Sequence, residues 1–140
     1  MGSVVLFAIL SIGCASAGGN SAPYVAKCPA TPNCVSTADG PEDPVHHAEP
    51  LRFEGDVGAA KARMKDIVLA MPRTALVAES DTGLRFTSTS RVFRFVDDVD
   101  IVFVPETGTV AYRSASRVGR GDMGVNRKRM EAVAAAWTSR

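Results

Sequence analysis

The sequence predicts an α+β fold: an antiparallel sheet of four to five strands with two helices packed on one face, preceded by an irregular arm rich in Cys and Pro. Three observations carry this. Apolar residues recur at helical spacing over 56–71 and again over 125–137. Between them lie four β-rich segments, "TALVAES", "LRFTSTS", "VDIVFVP" and "TVAYRSAS". The turn signals that separate them, "DTG" at 81–83 and "PETG" at 105–108, are too short for parallel crossovers and so imply antiparallel neighbours. At 140 residues there is material for one domain with a modest core, divided into a signal segment at 1–17, the arm at 18–50 and the α+β domain at 51–140.

The chain opens with an apolar run, Val4 to Ile12, followed by small residues, and no charge precedes Lys27. The run is too short to span a bilayer and suits the apolar core of a secretory signal, with Ala15-Ser16-Ala17 as a small-residue cleavage site. Cys14 after "SIG" also resembles a bacterial lipobox, which leaves two fates for it: the lipidated first residue of the mature chain, or an ordinary residue of a discarded signal. Export is the expectation in either case.

From Gly18 to Pro50, Gly, Pro, Ser, Thr and Asn dominate without helical or strand period, as in an arm draped over the domain. Within it, "CPATPNC" places turn-forming Pro29, Pro32 and Asn33 between Cys28 and Cys34, a spacing that closes a disulfide ring when the backbone turns, and an exported chain would keep that bond. A zinc site from these two Cys with His46 and His47 competes with it. That reading needs an unusual C-x5-C spacing and two neighbouring histidines on one ion, so no metal is expected.

A further strand around Glu49 to Phe53 is expected to join a sheet edge. In 56–71, Val57, Ala60, Met64, Ile67, Val68 and Met71 form one stripe, Asp56 fits an N-cap and Pro72 supplies the stop. In 125–137, Met130, Val133, Ala134 and Trp137 share a face.

Three motifs, "CPATPNCVST", "FRFVDDVDI" and "VAYRSASRVGRGDMGVNRKRMEAV", together resemble the domain of unknown function 1499 family, which combines C-P-x-x-P-N-C-V-S with F-x-D-D-V and R-S-x-S-R-x-G-x-x-D-x-G-x-N-R-x-R. The resemblance runs from Cys28 to Val133, and Arg120 stands where that pattern commonly has an aromatic residue. It implies an exported or membrane-associated protein, often a lipoprotein or an organelle-targeted one, and it implies no known reaction.

The last motif concentrates six Arg or Lys, three Gly and one Asp between Tyr112 and Arg129. If "PETG" closes a hairpin with Val104 opposite Thr109, Ile101 faces Tyr112, Phe103 faces Val110 and Val99 faces Ser114 on one apolar side. On the other side Asp100 lies across from Arg113, and Asp98 across from Ala115 near Arg117. Such opposite-charge pairs contribute about 0.2–1 kcal/mol each, so internal pairing is the first expectation for Arg113 and Arg117. Alternation splits Asp98 and Asp100 from Asp97, and no calcium-loop pattern follows. Asp122 is expected to cap the final helix from a glycine corner. Asn126 projects onto the core stripe and is expected to hydrogen-bond that corner's backbone. Lys128 and Arg129 are expected to face solvent. The candidates left for holding a small anion are Arg117, Arg120 and Arg127, at a glycine-rich helix start that lacks any phosphate-loop or dinucleotide pattern.

A formal charge of +1 gives no case for nucleic acid, and membrane contact is expected only through a lipid anchor. The two histidines read as surface residues and no catalytic residue or cofactor is nominated. The functional expectation is an exported, non-enzymatic binding or accessory module of the cell envelope, its partners being envelope proteins or a small anion. The alternatives are an anion- or ligand-binding protein, or a hydrolase, using the RSASRVGRGDMGVNRKR corner.

Overall fold

A computed structural model describes residues 25–139, so Cys14 and the signal segment lie outside the described residues. The elements in order are β1 (Cys34–Ser36), β2 (Leu51–Arg52), α1 (Val57–Leu69), β3 (Thr74–Glu79), β4 (Gly83–Thr89), β5 (Val96–Val104), β6 (Thr109–Ser116) and α2 (Val125–Thr138). They form an antiparallel sheet ordered β1-β6-β5-β4-β3, with β2 also on β6. The expected β5–β6 hairpin has the predicted register, Val104 opposite Thr109 and Val99 opposite Ser114.

The arm departs from the irregular course expected of it. It supplies β1, which pairs Cys34, Val35 and Ser36 with Ala115, Ser114 and Arg113, beside the pairing of β2 with Thr109 and Val110. Two short strands thus cover the β6 edge, which would otherwise expose a row of unpaired N–H and C=O groups. Three residues between turns carry no readable period.

Alternation along the long strands separates two faces. Leu84, Phe86, Val99, Ile101, Phe103, Val110 and Tyr112 point inward and meet Met64 and Val68 of α1 and Met130, Val133 and Trp137 of α2. Asp56 caps α1 by accepting the Ala59 N–H at 2.8 Å. At the far end of the core, Trp137 donates through Nε1 to the Arg52 carbonyl at 2.8 Å, packs edge-on against Phe103 and carries the Arg63 guanidinium over its ring. At the opposite end the inner face becomes polar: Ser88 and Asp97, then Ser114 and Ser116, follow the apolar residues of β4, β5 and β6.

Candidate functional site

That polar end meets the start of α2, and Asn126 sits at the centre, 1% exposed. Its Oδ1 accepts from Ser114 Oγ at 2.6 Å and Arg129 Nη1 at 2.8 Å. Its Nδ2 faces the Asn33 carbonyl at 3.1 Å, Ser116 Oγ at 3.0 Å and Asp122 Oδ2 at 2.8 Å. Arginine can only donate, so Arg129 fixes which end of the amide is oxygen. Asp122 accepts from the Gly124 and Asn126 N–H groups at 3.0 and 2.8 Å and so supplies the expected cap, from two residues ahead of Gly124, the N-cap itself, whose φ is +75°.

The expectation for Asn126 needs correcting in its partners. Rather than the backbone of the glycine corner, it binds two strand serines, a carboxylate and the arm. Arg129, expected in solvent, is turned inward and joins Asp97 at 2.7 Å and Ser114 Oγ at 2.9 Å. The side chains of that ion pair are only 11% and 9% exposed. The signal for it was available: Asp97 falls on the inner face by alternation, and a buried carboxylate requires a cation.

The arm docks onto the same joint. The Asn33 carbonyl accepts from Ser116 N at 3.0 Å as well as from Asn126, while Asn33 Nδ2 donates to the Gly119 carbonyl at 2.9 Å. The Cys28–Cys34 disulfide closes the ring that holds Asn33. His46, expected at the surface, is buried; its Nδ1 lies 2.7 Å from Asp43 and its Nε2 lies 3.1 Å from the Thr31 carbonyl within that ring. His47 places Nδ1 on the Asp39 carbonyl at 2.6 Å and Nε2 on Glu49 at 2.9 Å. Two acceptors around each ring favour imidazolium. For His46, burial opposes the charge, but the bonds to Asp43 and Thr31 outweigh it and raise the pKa. For His47 the Asp39 carbonyl and Glu49 raise it. Arg127 ties α2 to this segment, donating to the Val45 and His47 carbonyls at 2.9 and 3.0 Å.

On the outer face Arg117 makes two bonds to Asp98, at 2.9 and 2.8 Å, as its position near that residue predicted, and these hold the Asp98 carboxyl below its ordinary range against an opposing contribution from burial. Arg113 does lie across from Asp100 in the register, but the Asp100 carboxylate is bonded at 2.6 Å by Arg85, its neighbour on the other side. Arg113 Nε is buried without a partner among the described residues. Of the three anion candidates, Arg117 and Arg127 are engaged within the fold, while Arg120 is exposed and has no hydrogen bond among the described residues.

This arrangement limits the chemistry. Each histidine has a carboxylate, yet its second ring nitrogen is occupied by a backbone carbonyl, so neither presents a free base to a serine or a water. Among the described residues no cluster of three or more His, Cys, Asp or Glu could hold a metal ion, and no helix is long and apolar enough to cross a membrane.

The family described as protein of unknown function DUF1499 matches residues 24–136, and the chain belongs to it. No match is found among curated proteins. Each of the three motifs read from the sequence sends residues to the joint: Asn33 from the first, Asp97 from the second, and Ser114, Ser116, Asp122, Asn126 and Arg129 from the third.

Proposed function

We propose that this chain is an exported, non-enzymatic binding or accessory domain of the cell envelope, whose signature residues set its shape rather than perform chemistry. One observation carries the reading: the polar groups that would have to serve a reaction are spent on one another, Asn126 on five partners, Arg129 on Asp97, and both histidines on paired acceptors. The Cys28–Cys34 disulfide supports an oxidising compartment. Mass spectrometry of the protein isolated from its own cells tests this. The expected species begins after Ala17, or at an acylated Cys14, and lacks the two thiol hydrogens of Cys28 and Cys34. An uncleaved chain with both thiols free would contradict it.

A second reading, a small-anion site at the glycine corner, is supported by Arg120, the candidate without an internal partner among the described residues. Thermal-shift titration with phosphate, sulfate and small carboxylates tests it: stabilisation that Arg120→Ala removes is the expected result, and no response to any of them would sink it.

A further inference from the structure

The loops at the polar end carry an unusual surface. β4 ends at Thr89, β5 begins at Val96 and β6 ends at Ser116, so the 90–95 loop and the 117–124 corner leave the sheet on the same side, joined where Arg117 N donates to the Val96 carbonyl at 3.0 Å. Between them they expose large apolar side chains: Val92 and Phe93 at 75%, Phe95 at 51%, Val118 at 57% and Met123 at 92%. Clusters of exposed large apolar side chains mark interaction sites, whereas isolated ones are ordinary.

The presentation is built in. Ser90 N donates to the Phe95 carbonyl and Phe95 N to Ser90 Oγ, both at 2.8 Å, closing the loop, and Phe93 stacks on Phe95 at 5.6 Å between centroids. Arg94 and Met123 take φ of +56° and +54°, the left-handed region that non-glycine residues seldom occupy.

Charge selects the occupant. Arg91, Arg94 and Arg120 are exposed without a carboxylate partner among the described residues. The loops contain one acid, Asp122, which is committed to the start of α2. Within "RVFRF" and "RVGRGDM" the charges not engaged in the fold are all arginine, so the surface favours an anionic occupant. At a formal charge of +1 the chain lacks the basic excess on which nucleic-acid binding rests. Apolar tips interspersed with cations match a bilayer interface, with the tips among the acyl chains and the guanidinium groups among the phosphates. We infer that this end of the domain docks on an anionic lipid surface, apart from any anchor at Cys14.

Flotation of the full chain with vesicles of phosphatidylcholine, with and without phosphatidylglycerol, tests the inference. Wild type is expected to float with the anionic vesicles and to be released by high salt. An arginine near an anionic surface contributes about fivefold in affinity, so Arg91→Glu with Arg94→Glu should weaken binding by more than about tenfold, as should Phe93→Ser with Phe95→Ser through lost apolar burial. Arg91 and Arg94 are exposed, so that pair should keep the wild-type melting temperature, while the Phe93 and Phe95 pair, which loses one ring stack, should lower it only slightly; this separates docking from folding. Binding through the N-terminal apolar run alone would be indifferent to lipid charge and to both variants, and that result overturns the proposal. So does wild type that ignores anionic vesicles, or a loop-dependent dimer in light scattering without vesicle binding.

Discussion

Replacing Asn126 with alanine removes an amide that is 1% exposed and bonded at both ends. Its two amide hydrogens cannot satisfy all three acceptors around Nδ2 at once, so about four bonds are lost, each contributing roughly 0.5–1.5 kcal/mol net. Part of this is recovered, because Arg129 keeps Asp97 and Ser114, Asn33 keeps the Ser116 N–H, and Asp122 keeps its two backbone donors. The hydroxyl hydrogen of Ser114, directed at Oδ1 across 2.6 Å, loses its acceptor in a buried site. The expected loss is about 3–4 kcal/mol, a large part of a domain stability of about 5–15 kcal/mol, and at about 4 °C per kcal/mol it lowers the melting temperature by about 12–16 °C. Urea and thermal unfolding measure it. Asn126→Asp adds a control of nearly the same volume: it turns a carboxylate toward Asp122, Ser116 and the Asn33 carbonyl, and should cost at least as much as alanine. An alanine variant within about 1 kcal/mol of wild type, or a tolerated aspartate, would mean that Asn126 does not hold the joint together.

Other perturbations separate the buried joint from the surface. Arg129→Leu strands Asp97 in the interior and should cost about 3–5 kcal/mol in urea unfolding, whereas Arg117→Ala breaks a half-exposed pair and should cost only about 0.2–1 kcal/mol in the same assay. Breaking the disulfide with Cys28→Ser and Cys34→Ser releases a closed ring with a sequence separation of 6, which should cost about 2 kcal/mol in chemical denaturation. Both histidines have folded pKa values raised above 6.5, so the folded state binds the extra protons. Their stabilisation is complete below that value and is lost as pH rises through the folded pKa values. The urea midpoint should therefore fall from mildly acid to mildly alkaline pH by more in wild type than in a variant carrying His46→Gln and His47→Gln.

The sequence exposed whatever was local and periodic. Both helices follow from stripes such as Met64–Val68 and Met130–Val133, and the β5–β6 register follows from a short turn, which is why the Asp98 and Arg117 neighbourhood could be read. The β4–β5 register has no such constraint, since the loop from Ser90 to Phe95 can close in several alignments, and so Arg85 as the partner of Asp100 was not legible. Arg129 sits beside the core stripe, and period alone cannot tell a flanking arginine that reaches inward from one that reaches out. The arm was least legible: β1 is too short for alternation, and Asn33 binds the corner partly through its carbonyl, which every residue possesses.

Arm and corner are expected to open together, as one cooperative polar joint. Native-state hydrogen exchange measures this, because the amides of Thr37, Tyr112 and Ser116 donate to the Tyr112 carbonyl, the Thr37 hydroxyl and the Asn33 carbonyl, each between the arm and β6. If the arm is integral, these amides exchange with the same opening free energy as the β5 amides in the core, and Asn126→Ala lowers all of them together. Exchange of the three by a separate, lower-energy opening, with the core amides unaffected by Asn126→Ala, would mean that the arm is an independent appendage.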